Sequence, residues 1–444
     1  MKHYIITGAL LVIMLCGCSS ASKQAAETEE GLPVINLSEN VEQVSALHLS
    51  DAVDHVEVVP LETTDKSLIK QVSRIEVTEN DIWVKNSNTN ILRFSRDGKF
   101  RNTVGKVGQG PGEYSFVTDF VIDPVKKELH LNSSTMGILT YDYEGNFLRK
   151  ATDKPLLEVY GTPDPAGSKM LLYKNQFLLS RNLYLLNMNN PNLKDSLWSV
   201  ALMDEGFNFK KLFKNPAHAG REDEITSEEH LAPTWGWVNY WTEERTSTDF
   251  YGDELTLKLP DTDTIYIYNA SLQELEPRYA IHTEERKGDY ALTHEWVKER
   301  RAFGYFRLSH YYASRDFVYL VGHKDNDVYT YAYDIRNRSV RLLKRHEDFK
   351  ETVEPFKSNF GRPYITLDRS FSLTNDIQGG KFLVKYRSQG KYWVDSWQPG
   401  FPEYDEAVEE LRNSPDAPRK QELLNVIDRT DDEDNPILLI GVLK

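Results

Sequence analysis

An internal repeat restricts the fold of this chain more than any other feature of its sequence. Ile75 aligns with Ile122, Ile82 with Leu129, Ile91 with Ile138 and Phe94 with Tyr141, each pair 47 positions apart. Asp97-Gly98 then aligns with Glu144-Gly145, and Phe100 with Phe147, without an insertion. In the first copy, Arg74–Val77, Asp81–Val84, Ile91–Ser95 and Lys99–Thr103 read as four short strands, because apolar and polar residues alternate along them. The acidic residue and glycine before the fourth strand predict a two-residue hairpin turn, since such residues tolerate positive φ. A four-stranded unit of about 40–50 residues is the repeating element of a β-propeller, and one alone cannot bury both its faces.

The pattern continues, with insertions. Met170–Ser180, Leu183–Met188 and Leu197–Met203 end at Asp204-Glu205-Gly206-Phe207, the same turn chemistry. Asp249–Leu259, Asp263–Tyr268 and Arg278–Ile281 form a fourth unit, and Phe317–Val321, Val328–Asp334 and Ser339–Leu343 a fifth. Phe371–Thr374, Lys381–Tyr386 and Tyr392–Trp397 supply most of a sixth. The 24 tyrosines suit strands. Ile437–Leu443 and His55–Leu61 have no strand partners in their own neighbourhoods, so one terminal strand is expected to complete a blade begun at the other end and remove an exposed edge. Tyr290–Arg301, Tyr404–Leu411 and Arg419–Ile427 have amphipathic spacing and are expected as short helices in blade-connecting insertions. The expected fold is all-β: a six-bladed β-propeller with short helical insertions, occupying 34–444.

The first residues bear on location. Lys2 and His3 precede an apolar run from Ile5 to Leu15, too short to span a bilayer and suited to the core of a signal peptide. Leu15-Cys16-Gly17-Cys18 follows, resembling the site at which lipoprotein precursors are cut and acylated. The expectation is a leader over 1–17, lipidation at Cys18 and a flexible, Ser/Ala/Glu-rich tether over 18–33. Cys16 and Cys18 are the two cysteines of the chain, so the mature domain has no internal disulfide and must rest on its hydrophobic core. The net charge of −15 opposes binding to nucleic acid or to an anionic membrane surface. Glu27-Thr28-Glu29-Glu30 resembles the acidic signals that send some lipoproteins to the outer face of the outer membrane. The expected location is therefore the outer membrane, on its periplasmic or exposed face, with the lipid as the only membrane contact.

Four segments carry a family resemblance. Val104 to Tyr114 reads Val-Gly-Lys-Val-Gly-Gln-Gly-Pro-Gly-Glu-Tyr, and Val59-Pro60-Leu61-Glu62-Thr63 resembles an entry strand. Asp263-Thr264-Ile265-Tyr266 and Asn435-Pro436-Ile437 resemble a mid-chain strand and the lead into a closing strand. Together they are similar to the six-bladed β-propeller lipoproteins of gut bacteria, which are NHL-repeat-like and largely of unknown function. The resemblance implies the fold and says little about activity.

Three groups of residues are candidate sites. Gly105, Gly108, Gly110, Pro111 and Gly112 with Glu113 and Tyr114 offer backbone amides to an anion. They lack Walker spacing and a following Lys-Ser/Thr, and strands flank them, so they read as a structural inter-blade crossing that Glu113 and Tyr114 buttress. Trp235, Trp237 and Trp241, with Tyr240, follow Pro233-Thr234 in an acidic insertion; flat rings there suit the face of a sugar, or the packed side of a blade strand. Arg307, His310 and Tyr311, near Arg300, Arg301 and Tyr312, lie around the start of the fifth unit, where innermost strands line a propeller's channel; they could bind an acidic or hydroxyl-rich ligand, although salt bridges to the chain's many carboxylates are the favoured explanation.

Catalytic signatures are scarce. The eleven histidines show no HxxxH or HExxH pairing, no Gly-x-Ser-x-Gly elbow is present, and the acidic runs depart from the Ca2+-loop pattern. No catalytic residue, metal ligand or cofactor is assigned, and Ca2+ or another divalent ion stays open. The leading expectation is a lipid-anchored, non-enzymatic binding or scaffold protein for a glycan, a peptide or an envelope protein. The alternative is an NHL-like lyase or hydrolase with a metal-assisted site at the channel mouth.

Overall fold

Each 47-residue repeat folds into one antiparallel four-stranded sheet. Blade 1 is Val72–Val77, Asp81–Asn86, Asn90–Ser95 and Phe100–Val104, and blade 2 is Val117–Asp123, Glu128–Ser133, Gly137–Asp142 and Phe147–Lys150, each in sequential order. The protein, seen in a computed structural model, is described over residues 31–87, 89–133, 136–151, 169–181, 184–187, 194, 197–226, 232–234, 237–240, 246–260, 262–283, 306–324, 327–346 and 371–444. It is a six-bladed β-propeller.

Blade 3 is Lys169–Tyr173, Gln176–Ser180, Val200–Met203 and Phe209–Phe213. Blade 4 is Ser247–Tyr251, Glu254–Lys258, Thr264–Asn269 and Glu274–His282, and blade 5 is Arg307–Ala313, Phe317–Lys324, Asp327–Asp334 and Ser339–His346. Blade 6 joins the two ends of the chain: Tyr386–Ser388, Tyr392–Trp397, then Ile437–Leu443, then Val53–Pro60. The two terminal strands pair antiparallel, with Val58 opposite Leu439 and Val59 opposite Leu438. The expected closure is found, and it is tied further by Asn435, whose side chain accepts from Ile69 N at 2.8 Å and donates to the Glu62 and Ser67 carbonyls.

The N-terminal segment does more than close the ring. Val34–Asn36 adds a parallel fifth strand to the outer edge of blade 4, and Val41–Gln43 does the same for blade 5. The chain thus runs along the rim of three successive blades and covers edges that would otherwise expose unpaired amides.

Six hydrophobic clusters fill the six junctions between blades. Trp83, Val104, Phe120 and Tyr141 meet between blades 1 and 2, Phe177 and Met170 pack on Val121 and Ile138 between 2 and 3, and Leu257 and Tyr268 pack on Leu178 and Val200 between 3 and 4. Tyr279 and Leu320 lie between blades 4 and 5, Tyr319 and Trp393 between 5 and 6, and Leu438 and Phe94 between 6 and 1. Because neighbours cover both faces, the middle strands are mostly buried, and Asp81–Asn86 is buried at every residue, whereas the outer strand Phe147–Lys150 is exposed at every residue.

Four expectations need correction. The hairpin turn has three residues, not two: Ser95 N bonds Lys99 O, and Gly98 N bonds Ser95 O, with Gly98 at φ +86° and a register shift beside it. The second blade repeats this with Gly145, while in the third the left-handed position falls one residue beyond Gly206, on Phe207 at φ +62°. Second, the run Leu183–Met188 is not a blade strand. Its described part, Tyr184–Asn187, pairs with Trp237–Tyr240 and, through it, Ala232–Thr234 in a separate three-stranded sheet. Third, Ser372–Thr374 stays outside blade 6, paired with Lys381–Leu383 and bridged at Thr374 to His48, because blade 6 draws its outer strands from the chain ends and needs two local ones. Fourth, the helices α1 (Pro402–Asn413) and α2 (Lys420–Ile427) lie within blade 6, between its second and third strands, rather than between blades. They bury Leu411, Leu423 and Ile427 in the cluster between blades 5 and 6. Tyr290–Arg301 lies outside the described residues.

Candidate functional site

The first strand of each blade has no sheet partner on its inner side, so polar side chains pointing inward from it meet those of the other first strands. Charges in so confined a place must be paired, and most are. Arg74 of blade 1 bonds Glu76 on its own strand, Nη2 to Oε1 at 2.5 Å, and Asp119 on blade 2. The other Asp119 oxygen accepts from Met170 N of blade 3 at 2.6 Å. The other Glu76 oxygen accepts from Ser388 Oγ of blade 6 at 2.7 Å, and Ser388 Oγ also accepts from Val77 N at 2.8 Å. Lys85 donates to the Thr118 carbonyl at 2.8 Å.

A second group joins blades 4, 5 and 6. Arg387 Nη1 of blade 6 lies 3.1 Å from Asp249 Oδ2 of blade 4 and donates to the Tyr311 carbonyl of blade 5 at 2.9 Å. Ala313 N also donates to Asp249 Oδ2, at 2.9 Å. The Arg387 guanidinium covers the Tyr312 ring, 4.7 Å from its centroid.

The electrostatics follow this pairing. Burial opposes the Arg74 charge, but Asp119 and Glu76 outweigh it and lift its pKa above the ordinary guanidinium value. Asp249 does the same for Arg387 against burial. Lys169, at the start of blade 3, differs. Burial and then the like charges of Arg74 and Arg387 pull its pKa down to about 8, against the opposing pull of Glu76 and Asp119.

The residues singled out from sequence fall apart spatially. Gly105 to Tyr114 form the crossing from blade 1 to blade 2, where Lys106–Val107 pairs parallel with Glu113–Tyr114. Glu113 Oε2 accepts from Gly110 N at 2.9 Å and its other oxygen lies 3.0 Å from Lys106 Nζ, which hold its carboxyl below the usual range. Tyr114 OH donates to the Val104 carbonyl at 3.0 Å, and a Cβ on Gly105, at φ +71°, would come within 2.6 Å of the Tyr114 ring. Gly108 and Gly110 stand against the Glu113 side chain, Gly112 against Phe147, and Pro111 turns between them. The Gly110 amide thus goes to the loop's own Glu113 carboxylate and the Gly108 amide to the Tyr114 carbonyl.

Trp237 lies on the insertion sheet, in register with Asn187 and Thr234, and Trp235 and Trp241 lie outside the described residues, as does Cys18. Arg307, His310 and Tyr311 share the first strand of blade 5. Tyr311 is buried and its hydroxyl donates to Thr256 Oγ1 at 2.8 Å, so it packs between blades and presents no hydroxyl to a ligand. The charged residues that do meet at the centre, Arg74, Glu76, Asp119, Lys169, Asp249 and Arg387, were not singled out. Their signal was a charge inside the opening strand of each unit, legible only once the unit boundaries are known.

The comparisons with known proteins agree with this architecture. Residues 32–441 match a family described as a domain of unknown function (DUF4934). The chain belongs to that family. A solved structure from Bacteroides fragilis, named "Putative exported protein", is 17% identical to this DUF4934 chain, with a TM-score of 0.59 over 93% of this chain and 100% of the other. That likeness bears on the fold alone. A protein of unknown function from Bacteroides caccae (10% identity, TM-score 0.34, 64% of this chain and 84% of the other) and the RRP9 WD40 repeats (10%, 0.36, 89% and 99%) are more distant. No curated protein matches the chain in sequence. No described helix is long and apolar enough to cross a membrane.

Proposed function

We propose that this chain is an exported, lipid-anchored binding protein of the cell envelope that performs no chemistry of its own. One observation carries the reading: the carboxylates at the ring's centre are already engaged. Glu76 and Asp119 share Arg74, and Asp249 holds Arg387 and a backbone amide. A carboxylate neutralised by an arginine and a backbone donor is a weak general base and a weak metal ligand. Among the described residues, no three of His, Cys, Asp and Glu gather in a way that would hold a metal ion. The leader, the Leu15-Cys16-Gly17-Cys18 sequence and the acidic tether support export and anchoring at Cys18.

Two experiments test this. Metabolic labelling with an alkynyl fatty acid should mark the wild type and not Cys18→Ser; equal labelling overturns the anchor. Thermal unfolding of the purified protein should shift with a glycan, peptide or envelope protein, because a ligand of the folded state stabilises it by mass action. A shift confined to Ca2+ or a transition metal, accompanied by turnover of a lactone or ester, overturns the non-enzymatic reading.

A further inference from the structure

The N-terminal segment touches the ring at regular steps. Val34 pairs with Ala280 on the edge of blade 4, Val41 with Val340 on the edge of blade 5, and His48 with Thr374 on the hairpin packed beside blade 6. Every pairing is parallel, and each comes seven residues after the last. The bonds keep the same spacing: Leu37 N donates to the His282 carbonyl at 2.8 Å, and Val44 N to the Leu342 carbonyl at 2.9 Å. Residues 37–40 carry the chain from one rim strand to the next, with Asn40 in the left-handed region at φ +54°. Ahead of Val34 the chain turns again, at Gly31, φ +78°.

One step earlier in the sequence and one blade earlier in the ring, the path leads to the outer strand of blade 3. Among the described residues, Phe209–Phe213 has a strand neighbour on one side only. Lys210, Lys211, Leu212 and Lys214 are exposed along this edge. Lys211 Nζ donates to the Gln273 carbonyl at 2.7 Å, and Gln273 directly precedes the outer strand of blade 4. The two edges therefore lie within one side chain of each other. The residues at the earlier step are Glu27-Thr28-Glu29-Glu30, so three carboxylates fall where the spacing meets three lysines. Lysines on an edge strand deter foreign strands, whereas opposite charges across a strand pair attract.

We propose that residues 27–29 add a parallel fifth strand to Phe209–Phe213, extending the rim segment from blade 4 onto blade 3. Backbone bonds satisfy the edge, and the lysines select this acidic segment of the chain. Thr28 takes the place that Ile35 holds in the middle of its rim strand. A consequence for membrane attachment follows, and it rests on the anchoring reading above. With Glu27 held at blade 3, nine residues remain back to Cys18, at most about 30 Å when extended. The lipid then holds the ring by its blade 3 side, instead of through a free segment reaching to Val34.

The test uses purified full-length protein in two measurements. A carbodiimide joins a carboxylate to an amine in contact with it, without a spacer, and mass spectrometry locates the links. Hydrogen exchange is then compared between the wild type and Thr28→Pro, which removes the amide at the middle of the added strand. Expected are links within one chain from Glu27, Glu29 or Glu30 to Lys210, Lys211 or Lys214. Exchange of the 209–213 amides should be at least ten-fold faster in Thr28→Pro, with blades 1 and 2 unchanged. Glu27→Lys/Glu29→Lys/Glu30→Lys should accelerate it in the same way, and wild-type exchange in that variant overturns the charge pairing. Both the links and the acceleration are required. Equally slow exchange in wild type and Thr28→Pro means that another segment covers the edge, and equally fast exchange that the edge is open. Links only between chains mean that a second copy supplies the strand, and links elsewhere, or none, remove the segment from blade 3. Each of these overturns the proposal. Fatty-acid labelling at Cys18 reports on the anchor alone, so a failure of the rim strand and a failure of anchoring are read separately.

Discussion

Arg387 Nη1 stands 3.1 Å from Asp249 Oδ2, joining the first strand of blade 6 to that of blade 4 across the first strand of blade 5. The carboxylate is 3% exposed and also takes Ala313 N, so three blades converge on one buried charge. Breaking such a pair from one side strands the other charge, at about 3–5 kcal/mol for full burial. Because the guanidinium is partly wetted, Arg387→Met should cost about 2–4 kcal/mol in urea unfolding. The double variant Arg387→Met/Asp249→Asn should recover part of that loss. A double variant no more stable than Arg387→Met would show that the pair is not the source.

Lys169 should behave in the opposite way. With a folded pKa of about 8 and an ordinary unfolded value near 10.5, it is charged in both states at neutral pH, and the folded state bears the cost. Lys169→Met is therefore expected to stabilise the protein by about 1–2 kcal/mol at pH 7, less than the full shift implies because the channel wets the amine. The sign fixes the pH window. The advantage of Met holds below about pH 8 and fades as the wild type sheds its proton between about 8 and 10.5. Urea melts of both proteins at pH 7 and pH 10 measure it; a variant less stable at pH 7 contradicts the placement of Lys169.

The ring was legible in the sequence because blades 1 and 2 carry no insertion, so identical turns recur at one spacing. Beyond them, insertions erase the period. The run 184–187 has the composition of a blade strand, but its partner is Trp237–Tyr240, about fifty residues away, and composition does not encode partnership. The rim strands Val34–Asn36 and Val41–Gln43 were missed for a related reason: three residues are too few to show a period, and their pairing is parallel and remote. The central belt was hidden by topology. Arg74 and Asp119 are 45 residues apart, Asp249 and Arg387 138 apart, and only the closed ring brings them together. The glycine-rich crossing could be read largely locally, since Glu113 and Tyr114, which buttress it, belong to the same eleven residues.

Asn435 offers a test of how the ring is locked. It is 1% exposed, and its amide bonds three backbone groups of the segment that enters blade 1: Ile69 N, Glu62 O and Ser67 O. Asn435→Ala would leave the Ile69 amide and the Ser67 carbonyl unpaired, each costing about 1–3 kcal/mol where water cannot enter, while the Glu62 carbonyl keeps the Ser67 hydroxyl. A loss of about 2–4 kcal/mol is expected, with faster unfolding, because the bonds tie residues more than 360 positions apart. Stopped-flow unfolding in guanidinium checks both parts. A variant that unfolds at the wild-type rate would place the lock elsewhere, in the pairing of Val53–Pro60 with Ile437–Leu443.

His130 should give the propeller an acid-sensitive junction between blades 2 and 3. Its ring is 1% exposed and packs edge-on against Phe177 and Phe207, with centroids 5.0 and 5.3 Å away. Nδ1 lies 3.0 Å from Thr140 Oγ1, and burial pulls the ring's pKa down to about 4 although Glu128 opposes it. The unfolded chain, with an ordinary value near 6.5, therefore holds more protons than the folded one between pH 4 and 6.5. Stability contributed by the neutral ring is complete above about pH 6.5, declines as the pH falls through that window and is gone below about 4. The difference amounts to about 3 kcal/mol at its limit. His130→Gln keeps a partner for Thr140 without an ionisable ring, so its stability should fall less than that of the wild type between pH 7 and pH 4.5. Parallel urea-unfolding curves for the two proteins over that range would assign the acid loss to the carboxylates alone, and an NMR titration of the His130 ring with a midpoint near 6.5 would remove its cause.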